Sequence, residues 1–225
     1  IRFLFASTSA VYENTSDKIL EESASVSPDL VYSQSKLYSE RYLESLYRNY
    51  GFPSTALRLF NVFAPSIGQS RKQPPFVNYL YRELMAGRSP EVFAPHDQLR
   101  DYVSIWDVVE AFERCIENPE RDFRLINVAS GVQISVGDIL NAVSKGAGID
   151  SLGLQQKTPE EMWDVHVELQ SGAYPLARKR IRQEVLKESL GSTKKIEAEL
   201  GWAPGRDVLA EVEEFTKSLG QERAE

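Results

Sequence analysis

The chain has 225 residues, enough for one sizeable hydrophobic core and a smaller second lobe. With 42% hydrophobic and 26% charged residues it is typical of a globular protein, and its net charge of -7 excludes a general electrostatic attraction to nucleic acid. Its single cysteine and two separated histidines predict neither a disulfide framework nor a metal site. Because the sequence has no membrane-spanning apolar run and no signal peptide, we expect a cytoplasmic protein without a membrane partner.

The chain opens in a short buried strand, predicted over residues 1–6, which is followed by the hydroxyl residues Ser7, Thr8 and Ser9. Ligands of open α/β sheets bind beyond the carboxyl ends of strands, so these hydroxyls lie where a site would be. A plain turn rich in Ser and Thr explains the segment equally well. There is no initiator Met before the strand, and we expect this chain to be the later part of a longer protein.

Tyr32 and Lys36 stand four residues apart near the start of a predicted helix that runs to about Tyr50. That spacing places the phenol and the ammonium one turn apart on the same helix face. A cation fixed beside a phenol favours the phenolate, which makes the tyrosine a usable base. Taken alone, the bare pattern favours an ordinary solvated helix face. The apolar stripe predicted for this helix consists of Tyr38, Tyr42, Leu43, Leu46 and Tyr47.

A strand is predicted over residues 55–60, so that strand, helix and strand form a parallel crossover. Cys115 lies in an apolar helical pattern and is expected in the core. The remaining predictions are helices at 76–86, 107–117, 136–145, 193–200 and 208–219, strands at 91–93 and 123–129, and a short helix opening near Pro159.

The segment from Ala177 to Lys187 is strongly basic in an otherwise acidic chain. Its cations are Arg178, Lys179, Arg180, Arg182 and Lys187. A solvated charged face is the leading interpretation of such a run. A clamp for phosphate groups is the alternative, because Arg presents paired donors to phosphate oxygens.

Several motifs, read together in chain order, resemble the extended short-chain dehydrogenase/reductase family, the NAD-dependent nucleotide-sugar epimerases and dehydratases. They are TSAVY (8–12), YSQSK (32–36), LRLFNV (57–62), RDYV (100–103), NVASG (127–131) with ISV (134–136), and LGWAP (200–204). The resemblance implies an α/β fold: the C-terminal part of a Rossmann-like doubly wound parallel sheet with a small α+β substrate-binding lobe. Residues 1–61 and 100–129 would form the dinucleotide-binding part, and residues 62–99 and 130–225 the lobe.

The resemblance also assigns chemistry to three side chains. It makes Tyr32 the acid/base that moves a proton at a sugar hydroxyl while hydride passes to or from the nicotinamide. Lys36 would hold the nicotinamide ribose and favour the phenolate, and Thr8 would hydrogen-bond the reacting hydroxyl, with Ser9 as a less favoured neighbour. Ser7 is predicted beside the cofactor together with Tyr32 and Lys36. The cofactor would be NAD or NADP, with NAD favoured.

By the same resemblance, the partner is a nucleotide-diphosphate sugar held by Asn61, Arg100 and Arg182. For Arg100 the alternative is an ion pair with Asp101 that anchors a loop, and for Asp101 this structural role is favoured. The family commonly dimerises through a helical bundle that includes the Tyr-containing helix, so a homodimer through the Tyr32 helix is expected.

The sequence departs from the family in features that bear on the reaction. Family 4,6-dehydratases carry acidic residues directly after the Thr; here those positions are Ser9 and Ala10, which favours an epimerase that transiently oxidises a sugar hydroxyl. Glu13 replaces the usual Gly after Val-Tyr and leaves the substrate undetermined. The alternatives are a nucleotide-sugar dehydratase, decarboxylase or reductase, or a non-catalytic protein that binds a dinucleotide or nucleotide sugar.

The family's Gly-rich turn, in which a strand leads into a helix whose N-terminus receives the pyrophosphate, has no counterpart in the sequence. Gly146 and Gly148 follow a predicted helix and indicate a helix stop instead. We therefore expect these 225 residues to bind NAD weakly and to turn over poorly on their own.

Overall fold

Alternating strands and helices build the chain, as described by a computed structural model for residues 3–65, 74–118, 121–149, 153–170 and 177–222. The strands are β1 (Phe3–Thr8), β2 (Ser54–Leu59), β3 (Asn61–Phe63), β4 (Glu91–Val92), β5 (Leu99–Ser104), β6 (Phe123–Val128), β7 (Gln133–Ser135) and β8 (Gln155–Gln156). The helices are α1 (Val31–Tyr50), α2 (Phe76–Met85), α3 (Ile105–Glu117), α4 (Val136–Ala147), α5 (Pro159–Gln170), α6 (Arg178–Val185), α7 (Lys194–Leu200) and α8 (Val208–Glu222).

The main sheet is parallel and has the strand order β1-β2-β6. In register, Phe3 lies beside Ser54 at one end of β1 and Thr8 beside Leu59 at the other. Because β1 and β2 are parallel and α1 connects them, the predicted crossover is confirmed, as is the Rossmann-like α/β class. In the part of the chain that the structure describes, β1 pairs with β2 alone and so forms one edge of the sheet.

Helix α1 packs on this sheet with a face that shares Leu43 with the predicted stripe but leaves out Tyr38 and Tyr42. Its buried residues are Ser33, Leu37, Glu40 and Leu43. Tyr38 and Tyr42 are 63% and 65% exposed, so their prediction as members of the buried stripe was wrong. The pattern misled because a tyrosine counts as apolar, whereas the face that packs on the sheet includes the charged residue Glu40, which pairs with Arg58. The predicted end is confirmed: Tyr50 closes the helix, and Gly51 follows in the left-handed conformation (φ 65°).

The chain divides into two units. The first comprises residues 1–62, 101–133 and 189–208, and the second residues 63–100, 134–188 and 209–225. The core of the first unit consists of Val11, Tyr12, Leu20, Leu37, Leu57, Phe60, Val103, Val108, Ala111, Cys115, Ile126, Val128, Ala129, Ile196, Leu200 and Trp202. This confirms Cys115 as a core residue. In the second unit, α2 packs against α4 through buried aliphatic side chains.

Short strands are the main elements that sequence patterns did not predict. The strands β3, β5 and β7 form a second sheet in that order, although each is only three to six residues long and carries polar residues. Helix α3 begins at Ile105, two residues earlier than predicted, because the Ser104 hydroxyl accepts the Trp106 N–H and caps it. The predicted cap of α4 is confirmed, since Ser135 Oγ accepts the Asp138 N–H. Among the described helices, none combines the length and apolarity needed to cross a bilayer.

Candidate active site

Lys36 joins helix α1 to strand β1 beside Tyr32. Its Nζ donates a 2.8 Å hydrogen bond to the carbonyl oxygen of Ala6 and lies 4.8 Å from the centre of the Phe5 ring. The same Nζ lies 5.9 Å from the centre of the Tyr32 ring, and Tyr32 is 57% exposed. The predicted one-turn spacing therefore brings the ammonium close to an accessible phenol. An ammonium has three donors, so Lys36 can hold Ala6 and still donate to a ligand.

Thr8 is the last residue of β1 and caps the turn that follows it. Its Oγ1 accepts a 3.2 Å hydrogen bond from the Ala10 N–H, at the start of a 3-10 turn over Ser9–Tyr12. That bond uses one acceptor position of the hydroxyl and leaves its O–H free to donate. The geometry thus gives Thr8 the donor that a reacting hydroxyl would need.

Ser7 belongs to a buried polar network under the site. Its hydroxyl donates to Glu40 Oε1, and Ser7 is 3% exposed. Glu40 also binds Arg58 in a two-pronged ion pair, Nε to Oε1 at 3.1 Å and Nη2 to Oε2 at 2.7 Å. The network joins β1, α1 and β2. The Ser7 hydroxyl is thereby used within the protein, and its contact with the cofactor stays a prediction.

Arg58 is held on its other side by an aromatic ring. Its guanidinium lies 4.7 Å from the centre of the Tyr12 ring, and Tyr12 Oη donates to Asn127 Oδ1 at 2.8 Å. Burial disfavours the charged guanidinium, but the hydrogen bond to Glu40 and the charge interactions with Tyr12 and Glu40 together outweigh burial and raise the pKa of Arg58. For the neutral Tyr12 phenol, burial acts in the opposite direction and raises the pKa. Arg58 therefore stays a buried cation between Glu40 and Tyr12.

Glu13 holds the segment that leads into α1. Its Oε2 accepts the N–H groups of Asp29 at 2.7 Å and Leu30 at 3.1 Å, and its Oε1 accepts the Ser33 hydroxyl at 2.6 Å. Helix α1 has no side-chain cap from its own N-cap residue, Leu30. Glu13 therefore supplies acceptors at that helix end.

Asn61 and Asp101 organise the loops around the ends of the main sheet. The Asn61 amide donates to the carbonyl oxygen of Asp101 at 2.7 Å. The buried Asp101 carboxylate accepts hydrogen bonds from the N–H and hydroxyl of Ser130 and from the N–H groups of Gly131 and Gly191. Burial raises the pKa of Asp101, and these hydrogen bonds oppose that rise. Asp101 therefore anchors these loops through backbone N–H groups and the Ser130 hydroxyl. The ion pair expected between Asp101 and Arg100 is not formed among the described residues, because Arg100 donates to the carbonyl oxygens of Glu184 and Val185 instead.

Arg100 and Arg182 lie in the second unit and meet through helix α6. Arg100 Nη2 donates to the carbonyl oxygens of Glu184 and Val185, at 2.9 and 3.1 Å, in the last turn of that helix. A cation is favourable at a helix C-terminus because carbonyl groups end there unpaired. Arg182, on the same helix, pairs with Glu160 at 3.1 Å and is exposed. Their binding of a nucleotide diphosphate stays a prediction.

Two further cations of the basic run, Arg178 and Arg180, are also engaged. Arg178 lies 4.2 Å from the centre of the Trp163 ring, and Arg180 pairs with Glu184. A helix whose charges are partly paired at the surface fits the interpretation as a solvated charged face. Binding of phosphate groups by the exposed Arg182 remains a proposal. Within the described ranges, no cluster of three or more His, Cys, Asp or Glu side chains is placed to hold a metal ion.

Sequence patterns assigned no structural role to Glu13, Glu40 or Arg58. Glu40 carries a detectable signal, because it stands four residues after Lys36 and three before Leu43, a charge in the middle of a helix that packs on a sheet. Arg58 gives a similar signal as a charge within a strand. Glu13 stands out only as a departure from the family's Gly, and nothing in the sequence indicates its partners, which lie 16 to 20 residues away across an irregular loop.

Taken together, fold and site define a Rossmann-like α/β protein with a hydroxyl, a phenol and an ammonium carried by β1 and α1. A family model described as GDP-mannose 4,6 dehydratase matches residues 1–215. The chain belongs to this family, within the extended short-chain dehydrogenases/reductases that act as nucleotide-sugar epimerases and dehydratases.

Curated relatives match the chain over part of its length. An ADP-L-glycero-D-manno-heptose-6-epimerase of Brachyspira hyodysenteriae is 29% identical over 156 residues, 67% of this chain and 49% of the relative. The human dTDP-D-glucose 4,6-dehydratase is 27% identical over 135 residues, 60% of this chain and 37% of the relative. The matches thus span about half the length of the relatives or less.

Solved structures share the fold. The UDP-glucose 4-epimerase of Thermotoga maritima, determined with UDP-glucose, superimposes with a TM-score of 0.80 at 23% identity and covers 100% of this chain and 64% of that chain. The Thermus thermophilus UDP-glucose 4-epimerase in complex with NAD gives a TM-score of 0.75 at 24% identity, covering 97% and 63%. These similarities confirm the fold predicted from the sequence.

Proposed function

We propose that this chain carries the sugar-oxidising site of an NAD(P)-dependent nucleotide-sugar epimerase. The observation that carries the proposal is the position of Lys36, bonded to Ala6 in β1 and 5.9 Å from the centre of the exposed Tyr32 ring. A protein that merely binds nucleotides has no need of an acid/base. Membership of a family whose relatives are epimerases and dehydratases supports the same chemistry.

In this proposal, Tyr32 takes the proton of a sugar hydroxyl and returns it when the hydroxyl is restored. Lys36, whose Nζ lies 5.9 Å from the centre of the Tyr32 ring, would hold the ribose of the cofactor beside the phenol. Thr8 donates a hydrogen bond to the reacting oxygen and so orients it, while keeping its own proton. The bound nicotinamide would supply the acceptor and donor of hydride. Epimerisation balances because the hydride and proton removed in the first half are both returned in the second.

The cofactor fits the side chains present, because Lys36 retains donors for the hydroxyls of a ribose after bonding Ala6. NAD is favoured over NADP, as NAD occurs in the complex with the Thermus thermophilus epimerase. A Pseudomonas aeruginosa neighbour is complexed with NADPH, so both dinucleotides belong in the binding test. The proposed substrate is a nucleotide-diphosphate sugar, whose phosphates Asn61, Arg100 and Arg182 would bind.

A dehydratase is the second candidate, favoured by the description of the family model and by the dTDP-D-glucose 4,6-dehydratase relatives. Elimination of water needs an acid beside the reacting carbons, whereas the residues after Thr8 are Ser9 and Ala10. The carboxylate nearest in sequence, Glu13, is held by Asp29, Leu30 and Ser33. For this reason we favour epimerisation.

Product analysis tests the proposal. The protein is incubated with a panel of ADP-, UDP-, GDP- and dTDP-sugars. Because we expect weak binding, NAD is supplied well above the micromolar range, at a concentration that saturates the protein. The products are then separated and their masses are measured by mass spectrometry. An epimer of unchanged mass supports the proposal. A product lighter by one water identifies a dehydratase, and loss of carbon dioxide identifies a decarboxylase. In a parallel incubation supplied with NADH instead of NAD, stoichiometric consumption of NADH identifies a reductase. Binding of a nucleotide sugar without any product, by protein shown to be folded and loaded with NAD, contradicts an enzymatic role.

The homodimer is likewise a proposal. Helix α1 exposes Tyr38 and Tyr42, and these rings border an apolar groove of about 800 Å³ that is also lined by Phe3, Phe5 and Phe52. Exposed aromatic side chains on one helix face are typical of contact surfaces. Light scattering of the wild type and of Tyr42→Glu tests this: a dimer that Tyr42→Glu dissociates supports it, and a monomer at all concentrations contradicts it.

A further inference from the structure

Glu13 connects the segment that carries Thr8 with the segment that carries Tyr32. It directly follows the 3-10 turn that Thr8 caps, so its backbone is fixed relative to the end of β1. Its side chain is half-buried and reaches across to residues 29–33 at the start of α1. The two segments are otherwise separated in sequence by an irregular loop.

The bonds of Glu13 bracket Tyr32 along the chain. On one side its Oε2 accepts the N–H groups of Asp29 and Leu30, and on the other its Oε1 accepts the hydroxyl of Ser33, a fully buried residue. Three hydrogen bonds to one carboxylate, two of them from backbone, leave little freedom to the helix start. The neighbouring Asn14 strengthens this connection, because its amide donates to Ser27 O and to Asp29 Oδ2.

We propose that Glu13 is a positioning residue that fixes Tyr32 relative to Thr8. The inference rests on the proposed function, because it assumes that these two side chains act on one hydroxyl. Glu13 holds the first turn of α1 from the amino-terminal side of Tyr32, and the bond of Lys36 to Ala6 holds the helix one turn further on. Tyr32 lies between the two anchors. An acid/base misplaced by even a fraction of an ångström loses much of its effect, so such anchoring has a catalytic consequence.

A dedicated acceptor is required here because α1 lacks a cap of its own. The N-cap residue is Leu30, whose side chain has no acceptor, and the first N–H groups of a helix have no partner within it. Without Glu13, the N–H groups of Asp29 and Leu30 and the buried hydroxyl of Ser33 lose their described partner. The first turn would then fray, and Tyr32 lies in that turn.

The test compares Glu13→Ala and Glu13→Gln with Asp17→Asn in the 225-residue chain. Asp17 is an exposed carboxylate of the same loop, and its replacement controls for the loss of one negative charge. Two measurements report position without requiring turnover: amide hydrogen exchange at Leu30, and the NMR signal of the Tyr32 ring carbon that bears the hydroxyl. The Tyr32 signal is assigned by its absence in Tyr32→Phe.

We expect Glu13→Ala to accelerate exchange at Leu30 by about tenfold or more and to move the Tyr32 signal toward that of a freely mobile tyrosine. Glu13→Gln should give an intermediate effect, because its amide keeps one acceptor oxygen. Asp17→Asn should resemble the wild type. If Glu13→Ala unfolds the protein by circular dichroism, Ser33→Ala, which removes one of the three bonds, replaces it as the decisive variant.

Kinetics then separate the positioning role from mere stability. In the same chain at saturating NAD, Glu13→Ala should lower kcat by about tenfold or more and change KM for the nucleotide sugar by less than about twofold. An unchanged Tyr32 signal in Glu13→Ala overturns the inference, as does an unchanged kcat in a variant whose Tyr32 signal has moved. Failure of the proposed function is recognised by a different measurement, the activity of Tyr32→Phe. If Tyr32→Phe keeps the activity, the proposed function fails, whatever the NMR signals of the Glu13 variants show.

Discussion

Lys36 Nζ donates a 2.8 Å hydrogen bond to the carbonyl oxygen of Ala6, and this contact ties the helix with the proposed acid/base to the strand with the proposed hydroxyl donor. The Lys36 ammonium is thereby held 5.9 Å from the centre of the Tyr32 ring. The side chains of most surface lysines, by contrast, are flexible. A fixed cation is what distinguishes a site from an ordinary solvated helix face.

The buried ion pair of Glu40 and Arg58 should be essential for stability. Glu40→Ala leaves the Arg58 guanidinium buried without its carboxylate, which we expect to lower the free energy of unfolding by about 3–5 kcal/mol. Urea unfolding followed by circular dichroism measures the change. Glu44→Ala is the matched control on the same helix, because its pair with Arg48 is exposed and should contribute about 0.5 kcal/mol or less. Similar losses in both variants would contradict the role of the buried pair.

Asp101→Asn should destabilise the two loops that the Asp101 carboxylate holds, at Ser130 and Gly131 and at Gly191. One carboxylate oxygen becomes an amide nitrogen, so Asp101 Oδ2 no longer accepts the N–H groups of Gly131 and Gly191. A buried donor left unpaired costs about 1–3 kcal/mol, and we expect a total loss of at least about 2 kcal/mol. Faster amide exchange at Gly131 and Gly191 should accompany it. Asp122→Asn, at an exposed position of the same unit, should change neither measurement.

Glu83 should make the stability of the second unit depend on pH. Its hydrogen bond to Arg88, helped by Arg82, lowers the pKa of Glu83 below the ordinary value of 4.5. The folded state therefore gains stability from this carboxylate above about pH 4.5 and loses it as the pH falls through the depressed pKa.

Thermal unfolding of the wild type and of Glu83→Gln between pH 7 and pH 3 checks this linkage. The wild type should be the more stable at pH 7, and the difference should shrink below about pH 4.5 as Glu83 takes up its proton. Arg88→Gln should reduce the same pH-dependent difference, because it removes the main cause of the depressed pKa. A difference that stays constant across the acid range would refute the assignment.

NAD should bind weakly to the 225-residue chain. The sequence offers no Gly-rich turn between a strand and a helix, and the structure confirms that Gly148 ends α4, with φ 65° in the left-handed region. Lys36 alone provides few contacts to a dinucleotide. Calorimetric titration should show no saturation at micromolar NAD. Tight, saturable binding would show that the chain recognises the dinucleotide by another route.

The sequence predicted the main elements well because they rest on local signals. The end of α1 at Gly51 and the cap of α4 at Ser135 both depend on the residue type at the helix end itself, and the structure confirms them. The motif order was sufficient for the family as well. The spacing of Tyr32 and Lys36 predicted their proximity, since a helix turn relates them directly.

What sequence reasoning could not predict depends on contacts between distant segments. Glu40 is buried where it pairs with Arg58, 18 residues later on β2, and the face of α1 that carries Glu40 leaves Tyr38 and Tyr42 exposed. Glu13 accepts a hydrogen bond from Ser33 across an irregular loop, whose sequence has no hydrophobic periodicity from which a contact could be predicted. The bond of Arg100 to the end of α6 spans 84 residues. No local pattern encodes such pairs, because they exist only once the chain has folded.

Replacement of Tyr32 by Phe tests the central claim most directly. The substitution removes the phenolic oxygen and keeps the ring, so folding and binding of the nucleotide sugar should change little. At saturating NAD, and with the sugar from the panel that the wild type converts, we expect kcat to fall by about 100-fold or more while KM stays within about twofold. Undiminished turnover by Tyr32→Phe would contradict the proposal that this phenol moves the proton.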